Sequence, residues 1–265
     1  MILILKKGRF GNYLFQFFVA KIIQSYNNSR IVTISKNENN YFFNSKKNID
    51  SIVSEYTRIP YISLVVKFIS LFAFKLNDKN IFTISDSSIF KKKHIIMIDG
   101  FFQDYKLIKN NIAILKKIIK KNQTINNFKI SKNDLTIHIR HLHKELGSLD
   151  TNPLYSKQPD INFYKKVIDK LNPDSIKVIS SKKNKMFYKL RSIFPKKKIV
   201  YETLNDVNDF YNLINSNNLI ISNSTFAYWA ALLSRAKKVY IQKQGLFSKQ
   251  SKLLIRNNRK FKFID

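Results

Sequence analysis

Asn218–Gln242 reads NLIISNSTFAYWAALLSRAKKVYIQ: a short β-branched run, a polar turn, a longer apolar stretch of helical spacing, and a second β-branched run. Two strands joined through a helix lie parallel in one sheet, because the connection is too long for a hairpin. The same alternation extends toward the N-terminus. Strand Leu135–Arg140, helix Asn162–Leu171, strand Ile176–Ser180, helix Lys185–Phe194, strand Ile199–Tyr201 and helix Val207–Asn215 lead into strand Leu219–Ser222, helix Thr225–Ser234 and strand Lys238–Gln242. This array is Rossmann-like, and the expected fold class is α/β.

The first half carries a looser version. Strand Ile2–Leu5, helix Asn12–Tyr26, strand Ile31–Ser35, a helical segment around Tyr61–Leu76, strand Ile95–Ile98 and helix Tyr105–Lys120 are expected there. Asn122–Asn133, polar and rich in Asn and Lys, sits between the two arrays and marks a boundary between lobes 1–125 and 126–265. No fixed-period repeat interrupts either lobe.

With 44% hydrophobic residues, the 265-residue chain can bury a large core, which sets it apart from disordered polyelectrolytes. It nevertheless carries 48 Lys and Arg against 17 Asp and Glu, a formal net charge of +31. The 40 Lys, 38 Ile and 29 Asn all have codons rich in A and T, so nucleotide bias accounts for part of the Lys surplus. Only 4 Glu occur, although Glu has an equally A-rich codon, and this leaves room for attraction to phosphates or to an anionic membrane face. Zero Cys excludes disulfides, thiolate zinc sites and a Cys nucleophile, and fits a reducing cytoplasm. The start MILILKKGRFGN turns charged after five apolar residues and lacks the apolar core of a secretory signal. Ile59–Leu76 is the most hydrophobic window, but Lys67 at its centre argues for a buried or interfacial helix over a spanning one.

Three segments can carry chemistry. In GRFGNYLFQF, Gly8 to Phe17, two of the five Gly flank Arg9 between a strand and a helix, where a tight turn and a helix N-terminus can approach an anion or a sugar; a plain structural turn is the simpler alternative. In TIHIRHLHKELG, strand alternation puts His138 and Arg140 on one face at a strand's carboxyl end, where open α/β sheets bind ligands and a guanidinium suits a diphosphate. Only 8 of the 48 basic residues are Arg, which makes their placement informative. His141 and His143 lie close by, yet alternation turns His138 away from them, so a metal site is not expected. In IISNSTFAYWAAL, Asn223, Ser224 and Thr225 can cap the following helix and offer N–H and hydroxyl groups to phosphate, while Phe226 and Trp229 read as core.

In this order, the three segments resemble the signatures of glycosyltransferase family 11, the α-1,2-fucosyltransferases, within the wider fucosyltransferase superfamily. That family typically shows GGLGNQ-FQ, H-x-R-R-x-D and NS-[ST]-F-S-W-W-x-A-W-L; the matching stretches here are GRFGNYLFQF, HIRHLH and SNSTFAYWAALL, with a weaker GFFQDYKLI at 100–108. The resemblance implies a GT-B architecture, two Rossmann-like lobes facing a central cleft, with the nucleotide sugar held mainly by the C-terminal lobe. It implies an inverting enzyme that uses GDP-fucose as donor substrate, needs no metal or other cofactor, and moves fucose to a hydroxyl, expected to be galactose O2, of a bacterial surface glycan precursor.

The same resemblance assigns roles. Arg140 stabilises the departing diphosphate, His138 assists it, and Asn12 joins them as a catalytic residue. Ser222, Asn223, Ser224 and Thr225 contact the donor, as do Gly8, Arg9, Gly11 and Asn12 from the N-terminal lobe. The chain departs from the family where His141 and His143 replace the second Arg and the Asp, and where ISSKKN at 179–184 replaces an acidic segment expected to read guanine or ribose. A GT-B transferase using another nucleotide sugar is therefore the alternative. Glu145 and His143 are candidate bases, beside a base-poor mechanism with early bond cleavage. A nucleic-acid-binding protein is a third reading, but the basic residues are spread along the chain without an RNP-like, zinc or basic-zipper pattern, so no nucleic-acid partner is expected. The expected partners are donor, glycan acceptor and, by peripheral contact, an anionic membrane at the cytoplasmic face.

Overall fold

A computed structural model describes residues 1–37, 40–44, 57–58, 68–80, 84, 87–91, 93–122, 133–140, 156–255 and 258–264. The chain divides into two compact units, Met1–Thr124 and Ile125–Asp265.

The first unit contains β1 (Ile2–Lys6), α1 (Phe10–Asn27), β2 (Ile31–Asn37), β3 (Asn40–Asn44), β4 (Thr57–Arg58), β5 (Phe74–Leu76), α2 (Ser87–Lys91), β6 (Ile96–Ile98) and α3 (Tyr105–Asn122). Its sheet runs β4-β3-β2-β1-β6-β5. Four strands are parallel, and β3 and β4 extend the β2 edge in antiparallel fashion. Ile2, Leu3 and Ile4 are all buried, as an interior parallel strand covered on both faces requires. Helix α1 is apolar on nearly every side because it is enclosed, packing on β1, β6, α2 and α3. From β1 the chain moves to β2 on one side, then returns through β5 and β6 on the other.

The expected helix around Tyr61–Leu76 is corrected at its C-terminal end. Residues 68–72 are helical, but Phe74–Leu76 is strand β5, paired in parallel with Ile96–Ile98. Ile69 and Ala73 pack on the Leu3, Val32, Ile34 and Met97 cluster, and the next residues satisfy the outer backbone edge of β6. Residues 61–67 lie outside the described residues. Among the described residues, no helix is long and apolar enough to cross a membrane.

The second unit contains β7 (Leu135–His138), α4 (Ile161–Leu171), β8 (Ser175–Ile179), α5 (Lys185–Ile193), β9 (Lys198–Tyr201), α6 (Asp206–Ile214), β10 (Asn218–Ile221), α7 (Thr225–Leu233), β11 (Lys238–Gln242) and β12 (Phe261–Ile264). The order β12-β11-β10-β7-β8-β9, parallel throughout, is the doubly wound arrangement of a Rossmann sheet. Helix starts follow from local chemistry: Asp160, Asn184 and Asn205 each accept the backbone N–H three residues on. Helix α4 packs on α5, and α6 on α7. Leu135, Ile137, Val167, Val178 and Leu190 belong to one continuous core cluster. Each unit is thus α/β and Rossmann-like.

Trp229 is 1% exposed on α7, so Trp229→Ala should destabilise the protein by about 3–5 kcal/mol. Tyr188→Ala, on the solvent side of α5, should stay within about 0.5 kcal/mol of the parent. Urea unfolding measures both.

Candidate active site

In an open parallel sheet, a crevice forms at the carboxyl ends of adjacent strands whose connections depart in opposite directions. The second unit has this divergence at β7 and β10: one continues to β8, the other to β11. His138 ends β7 and Ser222 follows β10; His138 Nδ1 and Ser222 Oγ share a 2.7 Å hydrogen bond. The Phe226 ring, in the first turn of α7, lies 5.5 Å from the His138 ring and 5.6 Å from Phe210 of α6. Burial first, and the Arg140 charge second, pull the His138 pKa down to about 3. At physiological pH this imidazole is neutral and works as a hydrogen-bonding group, not as a cation.

Arg140 Nη1 donates to the Asn223 carbonyl at 3.4 Å. That carbonyl also accepts from Gln158 Nε2 at 3.2 Å, while Asn223 Nδ2 donates to the Lys157 carbonyl at 3.0 Å and Asn223 Oδ1 accepts the Leu246 N–H at 2.9 Å. Asn223, 1% exposed, therefore joins the chain after β7, before α4 and after β11. This corrects the capping role expected for Asn223, Ser224 and Thr225. Ser224 occupies the N-cap position of α7 without a side-chain bond to the helix, and the Asn223 side chain is taken up by neighbouring loops whose buried backbone groups need partners. A helix that begins without a side-chain cap is the arrangement in which an N-terminus receives an anion. Ser222, Asn223, Ser224 and Thr225 are all buried.

Sequence reasoning missed the acids on this edge. At the end of β8, ISSKKN offers no carboxylate: Lys182 and Lys183 are exposed, Asn184 caps α5, and the Ser180 carbonyl accepts the Tyr201 and Thr203 hydroxyls, each at 2.6 Å. After β9, however, Asp206 and Asp209 both lie in the first turn of α6. Asp209 is 6% exposed and accepts the Leu204 N–H at 3.0 Å. Burial pushes its pKa up to about 6 against that hydrogen bond, with Asp206 and Glu202 adding to the rise. The repeated Asn-Asp of NDVND, 205–209, was the available signal in an acid-poor chain.

The first unit diverges likewise at β1 and β6. Gly8, after β1, has φ +70, and a Cβ there would stand 2.6 Å from Asn12 Nδ2, so a side chain would be strained twice over. Asn12 Oδ1 accepts from Gln103 Nε2 at 3.1 Å. Arg9 is exposed at the N-cap of α1, and Gly11 is buried inside its first turn, not in the loop. The residue that assembles these parts is Gln16, fully buried: Nε2 donates to the Leu5 carbonyl at 3.0 Å and the Gly100 carbonyl at 2.8 Å, and Oε1 accepts the Lys7 N–H at 3.0 Å. Asp78 accepts the Phe101 and Phe102 N–H groups, holding Phe102 at φ 53. A lone amide within the apolar run YLFQFFVA was the sequence signal for Gln16.

Gly8, Arg9 and Asn12 thus gather at the strand ends of one unit, and His138, Arg140 and Ser222–Thr225 at those of the other. His141, His143 and Glu145 lie outside the described residues.

Residues 154–260 match the model of Glycosyl transferase family 11, the family that the motifs resemble; of the three segments the match contains SNSTFAYWAALL. The match contains Asp206, Asp209 and Ser222–Thr225. Among solved structures, a mutant of Arabidopsis thaliana FUT1 in complex with GDP aligns with a TM-score of 0.51 at 11% identity, covering 91% of this chain and 69% of that one. POFUT1 in complex with GDP-fucose aligns with a TM-score of 0.48 at 11% identity over 99% of this chain and 96% of that one, and the E. coli heptosyltransferase WaaC with ADP with 0.44 at 9% over 99% and 92%. The FUT1 likeness is one of fold. No protein of curated function matches the sequence.

Gln16→Leu would strip three backbone groups of their partner and should destabilise the protein by about 2–4 kcal/mol in urea unfolding. A loss below about 0.5 kcal/mol would show that Gln16 does not hold the two loops together.

Proposed function

We propose that the protein is an inverting fucosyltransferase that moves fucose from GDP-fucose to a hydroxyl, galactose O2 in the preferred form, of a bacterial surface glycan precursor. The observation that carries this is the convergence, within and beside the segment matching glycosyl transferase family 11, of neutral His138, the Arg140 guanidinium and the α7 N-terminus on one sheet edge. The acceptor oxygen attacks the fucose anomeric carbon opposite the diphosphate. The carbon–oxygen bond to phosphate breaks, its electron pair leaves with GDP, and the hydroxyl proton passes to a base or to solvent. Arg140 and the N–H groups of α7 meet the charge that grows on the leaving phosphate. We infer on the same ground that no metal is needed. When Ser222 donates to His138 Nδ1, the imidazole proton resides on Nε2, a neutral donor for phosphate or sugar.

Asn12, with Gly8, Arg9 and Gly11, is proposed to contact donor and acceptor from the strand ends of the first unit. Asp206 and Asp209 are proposed to replace the acids missing at ISSKKN. A carboxylate pairs with the two adjacent N–H donors of guanine, whereas uracil offers a single N–H between carbonyls. The +31 charge favours work at the cytoplasmic face, in peripheral contact with anionic membrane where a lipid-linked acceptor would concentrate.

Transfer from GDP-fucose should persist in EDTA and fall at least about 100-fold in Arg140→Ala, read as product formed per minute. Full activity in that variant would overturn the role of Arg140, and faster turnover of another sugar nucleotide would identify a GT-B transferase with a different donor.

The pH dependence follows from Asp209. Its folded pKa of about 6 exceeds the ordinary 3.8, so its contribution to stability is present below the ordinary value and is lost as pH rises through 6. Guanine binding needs the ionised form, so GDP affinity should weaken as pH falls below about 6. Asp209→Asn should abolish that step and raise the melting temperature at pH 7; calorimetric titration and thermal melts test the two.

A further inference from the structure

Ser181–Val200 contains eight Lys and Arg and no Asp or Glu, against 48 basic residues in all 265. Nucleotide bias raises Lys throughout a chain; it neither doubles the density in one stretch nor removes the acids from it. The segment spans α5 and most of β9, the outermost strand of the second sheet. Phe187 and Leu190 turn inward, while Tyr188 is 57% exposed, Ile193 41% and Val200 42%, each flanked by cations. A cavity of about 540 Å³ opens beside Tyr188, with Arg191, Ser192, Phe194, Lys197 and Lys198 also in its wall. Lys197 Nζ is fixed there by two neutral oxygens, Asn172 Oδ1 at 2.5 Å and the Pro173 carbonyl at 2.9 Å, which orient the ammonium without neutralising it. The Arg191 guanidinium lies 6.0 Å from the Phe187 ring centroid.

We propose that the α5–β9 edge docks on anionic phospholipid headgroups, with lipid phosphate held in this cavity by Arg191, Lys197 and Lys198 while Tyr188 and Ile193 enter the headgroup layer. Exposed apolar side chains interspersed with cations are what an interfacial surface requires. A nucleic acid would explain the cations equally well, and exposed Tyr188 offers one ring, but aliphatic Ile193 and Val200 beside it give bases no stacking surface. This surface deepens the membrane contact proposed above. It involves none of the residues assigned to transfer and is tested without donor or acceptor.

Full-length protein is sedimented with vesicles of phosphatidylcholine alone or mixed with phosphatidylglycerol. Binding should require the anionic lipid. The double reversal Arg191→Glu with Lys198→Glu should weaken it at least about tenfold, and Tyr188→Ser with Ile193→Ser should weaken it without changing net charge. Lys249→Glu with Lys252→Glu alters exposed lysines elsewhere by the same charge and should have a smaller effect. Each variant is first shown to keep the parent's melting transition and its GDP affinity. Equal losses from the two charge reversals would overturn the assignment in favour of undirected charge, as would binding to duplex RNA without binding to vesicles. Absence of GDP binding in the parent chain would instead sink the transferase reading and leave the vesicle result standing.

Discussion

The hydrogen bond between His138 and Ser222 spans the point where β7 and β10, adjacent and parallel, send their chains in opposite directions. The strand ends are buried there, and each polar group must find a partner or lose the free energy of its hydration. A neutral imidazole and a hydroxyl satisfy one another in a dry setting that a charged pair would not tolerate. Because strand side chains alternate, fixing His138 toward this edge also sends Arg140 there, where its guanidinium meets the Asn223 carbonyl. Phe226 then closes over the imidazole and links it to α6 through Phe210. Arginine and helix N-terminus thus occur together because one topological divergence places them together.

Charge acquires a different meaning once it is located. The whole-chain value of +31 says little about chemistry, since most of it is solvated Lys. Asp209 is informative for the opposite reason. In so basic a protein the general field favours carboxylates, yet burial outweighs it and raises the pKa to about 6.

The second unit was legible from sequence because its strands are rich in β-branched residues and three of its four helices begin at Asp or Asn caps; expected and observed elements from Ile176 to Gln242 agree within a residue. The first unit was less so. β3, with its NYFFN sequence, and the three-residue β5 have too few residues to show a period of two, and Phe74–Leu76 continued an apolar run that looked helical. β12, FKFI, is as long as β7, β9 and β10 but was missed, with a single β-branched residue to mark it. In the site, residue identities pointed to the correct strand ends, because glycines, arginines and polar turns are read locally. Gln16 and Asn223 take their roles from partners far along the chain, such as Gly100 for Gln16 and Leu246 for Asn223. No local pattern encodes such contacts.

Gln16 and Asn223 also show a common solution to a common requirement. Each divergence point needs a buried group that donates and accepts at once, since loops from several strands meet there with both N–H and C=O groups to satisfy. An amide does this with one side chain and without charge. Lysine or aspartate could supply only half of the bonding, and either would add a fixed charge beside the anion site. With neutral Asn223 and neutral His138 as the frame, Arg140 and the α7 dipole set the local potential, and that potential stays constant across the pH range in which Asp209 titrates. The frame can therefore keep its geometry while the ionisation of Asp209, the proposed reader of the base, changes.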